Sequence, residues 1–330
     1  GNWIFLATTY NKQLFDLNEK KIIASDLDSM WFSNRIAFAL KNDSVRTYLP
    51  SGRSLVFPST SPITFIQSQD SVNYFFTTEK RKKIVFDIIS GSRLFDVEAD
   101  GIEYLGYHTF LITRKEGKGL MNMDGKVILP PEYTAIARVN DNFVSLLKDK
   151  KFGLFDLNRK ILIKPEYTRN IVVFNDELLV AFKDGFYGFI NFQSQPQSKF
   201  EFDEIKNWND TTALVRKNFY WSIYSIASRQ LQMKDIKNFQ MIRESEKEKL
   251  LIIHQDNYYG VISNTQGVIL PSSFSSIVNV GNAEVPMYFS EKHVEEANIF
   301  VVIYYDARGK LLRRQVYEEE EYERISCHDN

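Results

Sequence analysis

Its 330 residues hold one cysteine, four histidines and no apolar run close to 18 residues. The single thiol, Cys327, excludes an internal disulfide framework and any zinc site built from several cysteines. Without a long apolar run there is no transmembrane helix. Charge of one sign is missing too. With 41 basic and 42 acidic residues the formal net charge is −1, so no broad basic field exists to hold nucleic acid. No P-loop, dinucleotide fingerprint, nucleophile elbow or zinc-protease helix occurs. No cofactor is expected.

What the chain has in quantity is aromatics, with 26 Phe and 17 Tyr, in a composition 44% apolar and 25% charged. Aromatic rings suit the half-buried, pleated surface of strands, and the composition is that of a chain that folds.

The aromatics recur. Leu14-Phe15-Asp16-Leu17-Asn18 is repeated identically as Leu154-Phe155-Asp156-Leu157-Asn158. The segment from Gly119 to Thr134 matches that from Gly153 to Thr168 column by column, without a gap. Extending this register gives nine anchors: Gln13, Arg46, Ile84, Gly119, Gly153, Gly188, Ser222, Gly260 and Ile303. Their spacings are 33, 38, 35, 34, 35, 34, 38 and 43. Two residues after each anchor stands a large apolar residue, and three residues after it Asp, Asn or Ser in every repeat but the second, which has Leu49. Asp16, Asp87, Asp156 and Asp306 in that column read as turn formers bonding nearby amides. Fourteen residues on, four repeats carry an aromatic: Tyr133, Tyr167, Phe202 and Phe274.

This pattern resembles the WG-repeat proteins, whose units carry an aromatic-Gly pair, a strand, a turn and a Pro-Glu-Tyr-like tail. The pair reads Phe152-Gly153, Tyr187-Gly188 and Tyr259-Gly260; Lys118-Gly119 lacks the aromatic and Trp221-Ser222 lacks the glycine. The tail is complete at Pro131-Glu132-Tyr133 and Pro165-Glu166-Tyr167. Residues 118–277 carry the resemblance well, and the ends have drifted. Such repeats are frequent in bacterial proteins, and the resemblance implies an architecture without implying an activity.

The expected fold is therefore all-β: about nine tandem antiparallel meanders of roughly 35 residues over 1–317, then an acidic, solvated tail over 318–330. In the repeat around Gly188, strands are expected at 177–183, 186–190 and 199–205, with a tight turn at Lys183-Asp184-Gly185. The repeats stack in a propeller-like arrangement or, alternatively, an open solenoid. The glycine marks a bulge or close backbone approach, and the aromatic before it packs on a neighbouring repeat. A ligand-stacking surface is the competing reading.

Chemistry is sparse. His108, His254, His293 and His328 have no His or Cys at ligand spacing except Cys327-His328 in the tail. Gly117-Lys118-Gly119 reads as a hairpin turn. The runs Lys80–Lys83 and Glu244–Lys249 read as solvated turns. Glu132, Glu166 and Glu201 occupy equivalent positions and suit a carbohydrate hydrolase only if gathered on one rim. The longest spacing holds an insertion around 281–293, in which Met287, Tyr288 and Phe289 form a contact if exposed and otherwise cover an end of the array. The chain opens Gly1-Asn2-Trp3 without Met, which reads as a chain trimmed of a leader and so an extracytoplasmic protein. The leading expectation is a non-enzymatic module holding a protein, peptide or glycan. The alternatives are a hydrolase and a purely structural domain.

Overall fold

The computed structural model describes residues 3–67, 72–245 and 248–325. Gly1 and Asn2, from which export is read, and the Cys327-His328 pair lie outside the described residues. Within them the chain is almost wholly antiparallel strand. It divides into two compact bodies, Gly1–Asn170 and Ile171–Asn330.

The first body holds five meanders in sequence, repeats 1 to 5, of three, four, four, four and four strands. The second holds repeats 6 to 9: a three-stranded sheet, a seven-stranded sheet and a four-stranded one. The seven-stranded sheet is two meanders that share one strand, Gln230–Glu244. Its first half pairs with Tyr220–Ser225 as the fourth strand of repeat 7, and its second half pairs with Lys249–Gln255 as the first strand of repeat 8. Ile236, fully buried, pairs with both neighbours.

All nine anchors lie on the third strand of a meander counted as four: Gln13 in Lys12–Asp16, Arg46 in Ser44–Tyr48, Ile84 in Lys82–Asp87, Gly119 in Gly117–Asn122, Gly153 in Lys151–Asp156, Gly188 in Phe186–Asn191, Ser222 in Tyr220–Ser225, Gly260 in Tyr258–Ser263 and Ile303 in Ile299–Tyr305. The column three residues on does what its residue types dictate. Asp16, Asn122, Asp156, Asn191, Ser263 and Asp306 each accept two backbone N–H bonds from the turn that follows, and Asp87 and Ser225 accept one. Leu49 instead is fully buried, and its turn is closed by backbone bonds between Leu49, Gly52 and Arg53.

Why the strands are so apolar is answered by the packing. In the second strand of repeat 3, Phe75 packs on repeat 2 while Tyr74 and Phe76 pack on repeat 4. In Lys249–Gln255, Leu251 and Ile253 face repeat 7 and Leu250 and Ile252 face repeat 9. Alternate residues thus serve two interfaces, so central strands are apolar on both faces and lose the simple inside-outside alternation. Each fully buried Phe or Leu contributes about 2 kcal/mol by burial, and consecutive meanders are bonded face to face by this term.

The second and third strands meet in two-residue turns with both residues left-handed, as at Asn42-Asp43 (φ 47° and 60°), Asp184-Gly185 (53° and 93°) and Asp256-Asn257 (48° and 72°). That geometry matches the twist of the flanking strands. Lys80-Arg81 adopts it too (45° and 72°), as a turn should.

One expectation fails locally. Residues 199–205 do not form one strand. Phe202 makes only an isolated bridge to Tyr187, and the next strand, Glu204–Asn209, begins repeat 7. The Ser198 hydroxyl takes the Phe189 N–H bond that a ladder carbonyl would accept, so the fourth strand never forms. The acidic end is a short exposed helix, Glu319–Ile325, held by the stacking of Tyr322 on Phe300 and by Glu319 beside His293.

Candidate functional site

The aromatic-Gly pair is a packing device. An added Cβ at Gly153 would stand 2.5 Å from the Ile163 carbonyl oxygen, and at Gly119 2.7 Å from that of Leu129. At Gly260 it would meet the Leu270 carbonyl at 2.9 Å, and at Gly188 the Lys199 carbonyl at 3.0 Å. In each the fourth-strand chain bulges toward the anchor. Phe152 pairs with Tyr167 and Leu154 with Ile163, which leaves Lys164, Pro165 and Glu166 looped out opposite the glycine. The residue before the anchor and the residue fourteen after it therefore become cross-strand partners: Lys118 with Tyr133, Phe152 with Tyr167, Tyr187 with Phe202, and Tyr259 with Phe274. Tyr187, Trp221 and Tyr259 pack into the interface with the following repeat. Trp221 is buried, with Phe239 edge-on at 5.2 Å and Lys206 and Arg216 over its ring at 5.1 and 5.5 Å.

The candidate chemistry disperses. Glu132 pairs with Lys148 at 2.7 Å and Glu201 with Lys217 at 2.8 Å, each tying a fourth strand or its equivalent to the second strand of the next repeat. The Arg114 and Lys41 side chains reach back sixteen residues in the same manner, to the carbonyls of Glu98 and Ser25. Glu166 is exposed. His254 stacks on Tyr259 at 4.6 Å, His293 stacks on Phe300, and His108 sits in a turn beside the Met123 sulfur. Among the described residues no group of three or more His, Cys, Asp or Glu is gathered as a metal site.

The Met287–Phe289 contact needs correction. Tyr288 is fully buried in the interface between repeats 8 and 9, at the start of the strand Tyr288–Val294, and burial pushes its phenol up to about 12. Phe289 is half-buried, and Met287 is the most exposed of the three. The true insertion is the loop before it, closed by Asn279 and Asn282 side chains and pinned by Arg243 on the carbonyls of Ala283 and Glu284. Glu248, in a run read as a solvated turn, is partly buried beside Arg243. Burial raises its carboxyl, but bonds from Gln266, Arg243 and Ser263 outweigh that and hold it below the usual range.

The exposed feature that sequence reasoning missed lies two residues before the anchors of repeats 6, 7 and 8. Phe186, Tyr220 and Tyr258 stand there with 42, 44 and 49% of their surface in water. Phe219, in the turn beside Tyr220, is 90% exposed. Because the sheets of this body stack face to face, these turns share one edge of it. The signal was present as doublets, Phe186-Tyr187, Tyr220-Trp221 and Tyr258-Tyr259, whose second member goes inside and first stays out. Repeat 5 has Lys151 at the same place.

The family model described as WG containing repeat matches residues 119–152, which run from one anchor glycine to the residue before the next. The WG-repeat resemblance therefore holds on that segment. No curated protein matches the chain. Similar solved structures include BamB from Moraxella catarrhalis (12% identity, 76% of this chain and 88% of that one, TM-score 0.26). Others are the C-terminal WD40 domain of Sif2 (14%, 84% and 93%, 0.28) and Hsv2 of Kluyveromyces lactis (8%, 96% and 96%, 0.26). At such scores and identities neither their arrangement nor their roles transfer to this chain.

Proposed function

We propose that the chain is a non-enzymatic binding module that holds a protein or peptide, with the hairpin edge of repeats 6 to 8 as its contact surface. The observation that carries this reading is Phe219. Its backbone is left-handed, φ 72°, and its ring is almost wholly in water. A bulky residue in that conformation costs about 1 kcal/mol or more, and an exposed ring forgoes the roughly 2 kcal/mol of burial. Folding gains nothing from a phenylalanine there, whereas a partner gains an anchor of the type that dominates interfaces. Phe186, Tyr220 and Tyr258 supply further aromatic surface at equivalent positions. Of the three equivalent glutamates that a hydrolase would need, Glu132 and Glu201 are paired with lysines of the next repeat and Glu166 stands exposed.

Phe219→Gly tests the reading in two directions at once. Asn218-Gly is the preferred sequence for such a turn, so the variant is expected to gain about 1 kcal/mol in stability by urea unfolding. Combined with Tyr258→Ser, it is expected to lose the partners that the native chain captures by cross-linking in the cells it comes from. An identical captured set from native and double-variant chains would overturn the proposal. Binding to a glycan array that survives the loss of protein capture would favour the glycan reading instead.

A further inference from the structure

In the first body, repeat 2 has neither a glycine at its anchor nor a bulge anywhere in its fourth strand. Its third and fourth strands, Ser44–Tyr48 and Ser54–Pro58, pair in unbroken register from Ser44↔Pro58 to Tyr48↔Ser54, with no bulge. No backbone crowds the anchor, so a large residue fits, and it is Arg46. Anchors lie on the face turned to the preceding repeat, as Ile84 does in the interface with repeat 2. On that face repeat 2 offers Ala37 and Ala39, where repeat 5 has Val144 and Leu146. Small side chains and a missing bulge leave a cleft of about 540 Å³ between repeats 1 and 2. Ile23, Leu27, Ala39 and Val56 give it an apolar lining, and Arg46, Lys41 and Tyr48 project polar atoms into it.

The two cations differ. Lys41 donates to the Ser25 carbonyl at 3.0 Å and lies 3.8 Å from Asp26. Arg46 takes part in no ion pair among the described residues; its neighbour is the Tyr48 hydroxyl, which donates onward to the Ile23 carbonyl at 3.2 Å. The cleft between repeats 6 and 7, about 400 Å³, shows the contrasting case. There the guanidinium, Arg229, donates to Gln197 at 2.7 Å, and a carboxylate, Glu201, lines the same cleft.

We infer that the cleft between repeats 1 and 2 binds a carboxylate-bearing ligand with an apolar body, the carboxylate on Arg46 and the body on Ile23, Leu27 and Val56. A guanidinium presents paired N–H donors matched to a carboxylate. The lining is more polar than apolar, with Ser25, Asn42 and Ser44 beside the cations, so the ligand is held mainly by its polar end and the apolar patch takes only a small body. This site is on the other body from the aromatic edge and stands independently of the function proposed for that edge.

Titration calorimetry of the full chain tests it, with benzoate as a free organic acid and acetyl-Leu-Asp-amide as an acidic peptide. Inorganic phosphate is the comparison anion. Arg46→Ala is expected to weaken binding of the better probe about tenfold or more, Arg46→Lys less, with melting temperatures unchanged. Lys234→Ala, which removes one positive charge from the other body, should leave affinity within about twofold. Tighter binding of the peptide assigns the site to acidic peptide segments, and tighter binding of benzoate to free organic acids. No binding of either probe, equal weakening by Arg46→Ala and Lys234→Ala, or tighter binding of phosphate would overturn the inference.

Discussion

Repeat 5 and repeat 2 are the same meander with one interaction exchanged. In repeat 5 the anchor is Gly153, the fourth strand bulges onto it, and Asp156 closes the next turn through the amides of Asn158 and Arg159. In repeat 2 the anchor is Arg46, the fourth strand runs straight, and Leu49 replaces the acid and goes inside. The difference teaches that glycine and bulge go together, while the turn acid is a separate device. A fourth strand bulged onto the anchor leaves room there for a glycine, or in repeat 7 a serine. A strand in unbroken register at that position leaves room for a large side chain, Arg46 in repeat 2 and Ile84 and Ile303 in repeats 3 and 9. The last two keep their turn acids.

Three substitutions break or sharpen that contrast. The largest effect is expected from restoring the acid where it is missing. Leu49→Asp buries a carboxylate in the cluster of Ile36, Phe38, Phe75 and Ile88, and should cost about 4 kcal/mol by urea unfolding. If it costs less than Asp156→Ala, the turn acid rather than the core governs that column. Next comes Gly153→Ala, whose methyl would sit 2.5 Å from a backbone oxygen and is expected to cost about 3 kcal/mol. Arg46→Ala should shift stability by no more than about 0.5 kcal/mol. Equal costs at the two anchors would dissolve the distinction.

The smallest effect is a titration. The Asp16 carboxyl is held below its usual range by the Glu19 amide, against some burial, and further by the Asn18 amide, the Trp3 indole and Lys21. A lowered folded-state value means the stabilisation is complete above the unfolded value, near pH 3.8, and is lost as pH falls through the folded one. Asp16→Asn keeps amide acceptors but cannot titrate. The stability gap between native chain and variant should therefore be constant near neutrality and close below pH 3.8. A gap that persists unchanged to acid pH would deny Asp16 its charge-assisted bonds.

Much of the repeat was legible because two of its columns obey local rules. An acid, amide or hydroxyl three residues past the anchor bonds its own turn whatever surrounds it, and eight of nine positions do so. Anchor spacing located the third strands for the same reason. Three things were hidden. The fourth place of repeat 6 looked like a strand by its alternation, but a serine hydroxyl replaced the ladder bond. Tyr288 looked like part of an insertion because it follows closely on the loop 281–286 and only its own face of the strand Tyr288–Val294 holds buried residues. The third is an asparagine column, Asn140, Asn175 and Asn209, whose side chains accept two amides each at the entry to the second strands of repeats 5, 6 and 7. Isolated asparagines in polar loops do not stand out until the loops are superposed. The Arg46 cleft was hidden for a different reason, since emptiness depends on what two repeats fail to fill.

The strand Gln230–Glu244, common to repeats 7 and 8, has a mechanical consequence. Elsewhere a meander ends its last strand and the chain breaks direction before the next begins, as at Thr134 between Tyr133 and Ala135. Here there is no such joint. A chain pulled from its C-terminal end can give way one meander at a time only until it reaches repeat 8. From there seven strands form one hydrogen-bonded ladder, and repeats 7 and 8 must yield together, as a single longer step in the extension trace.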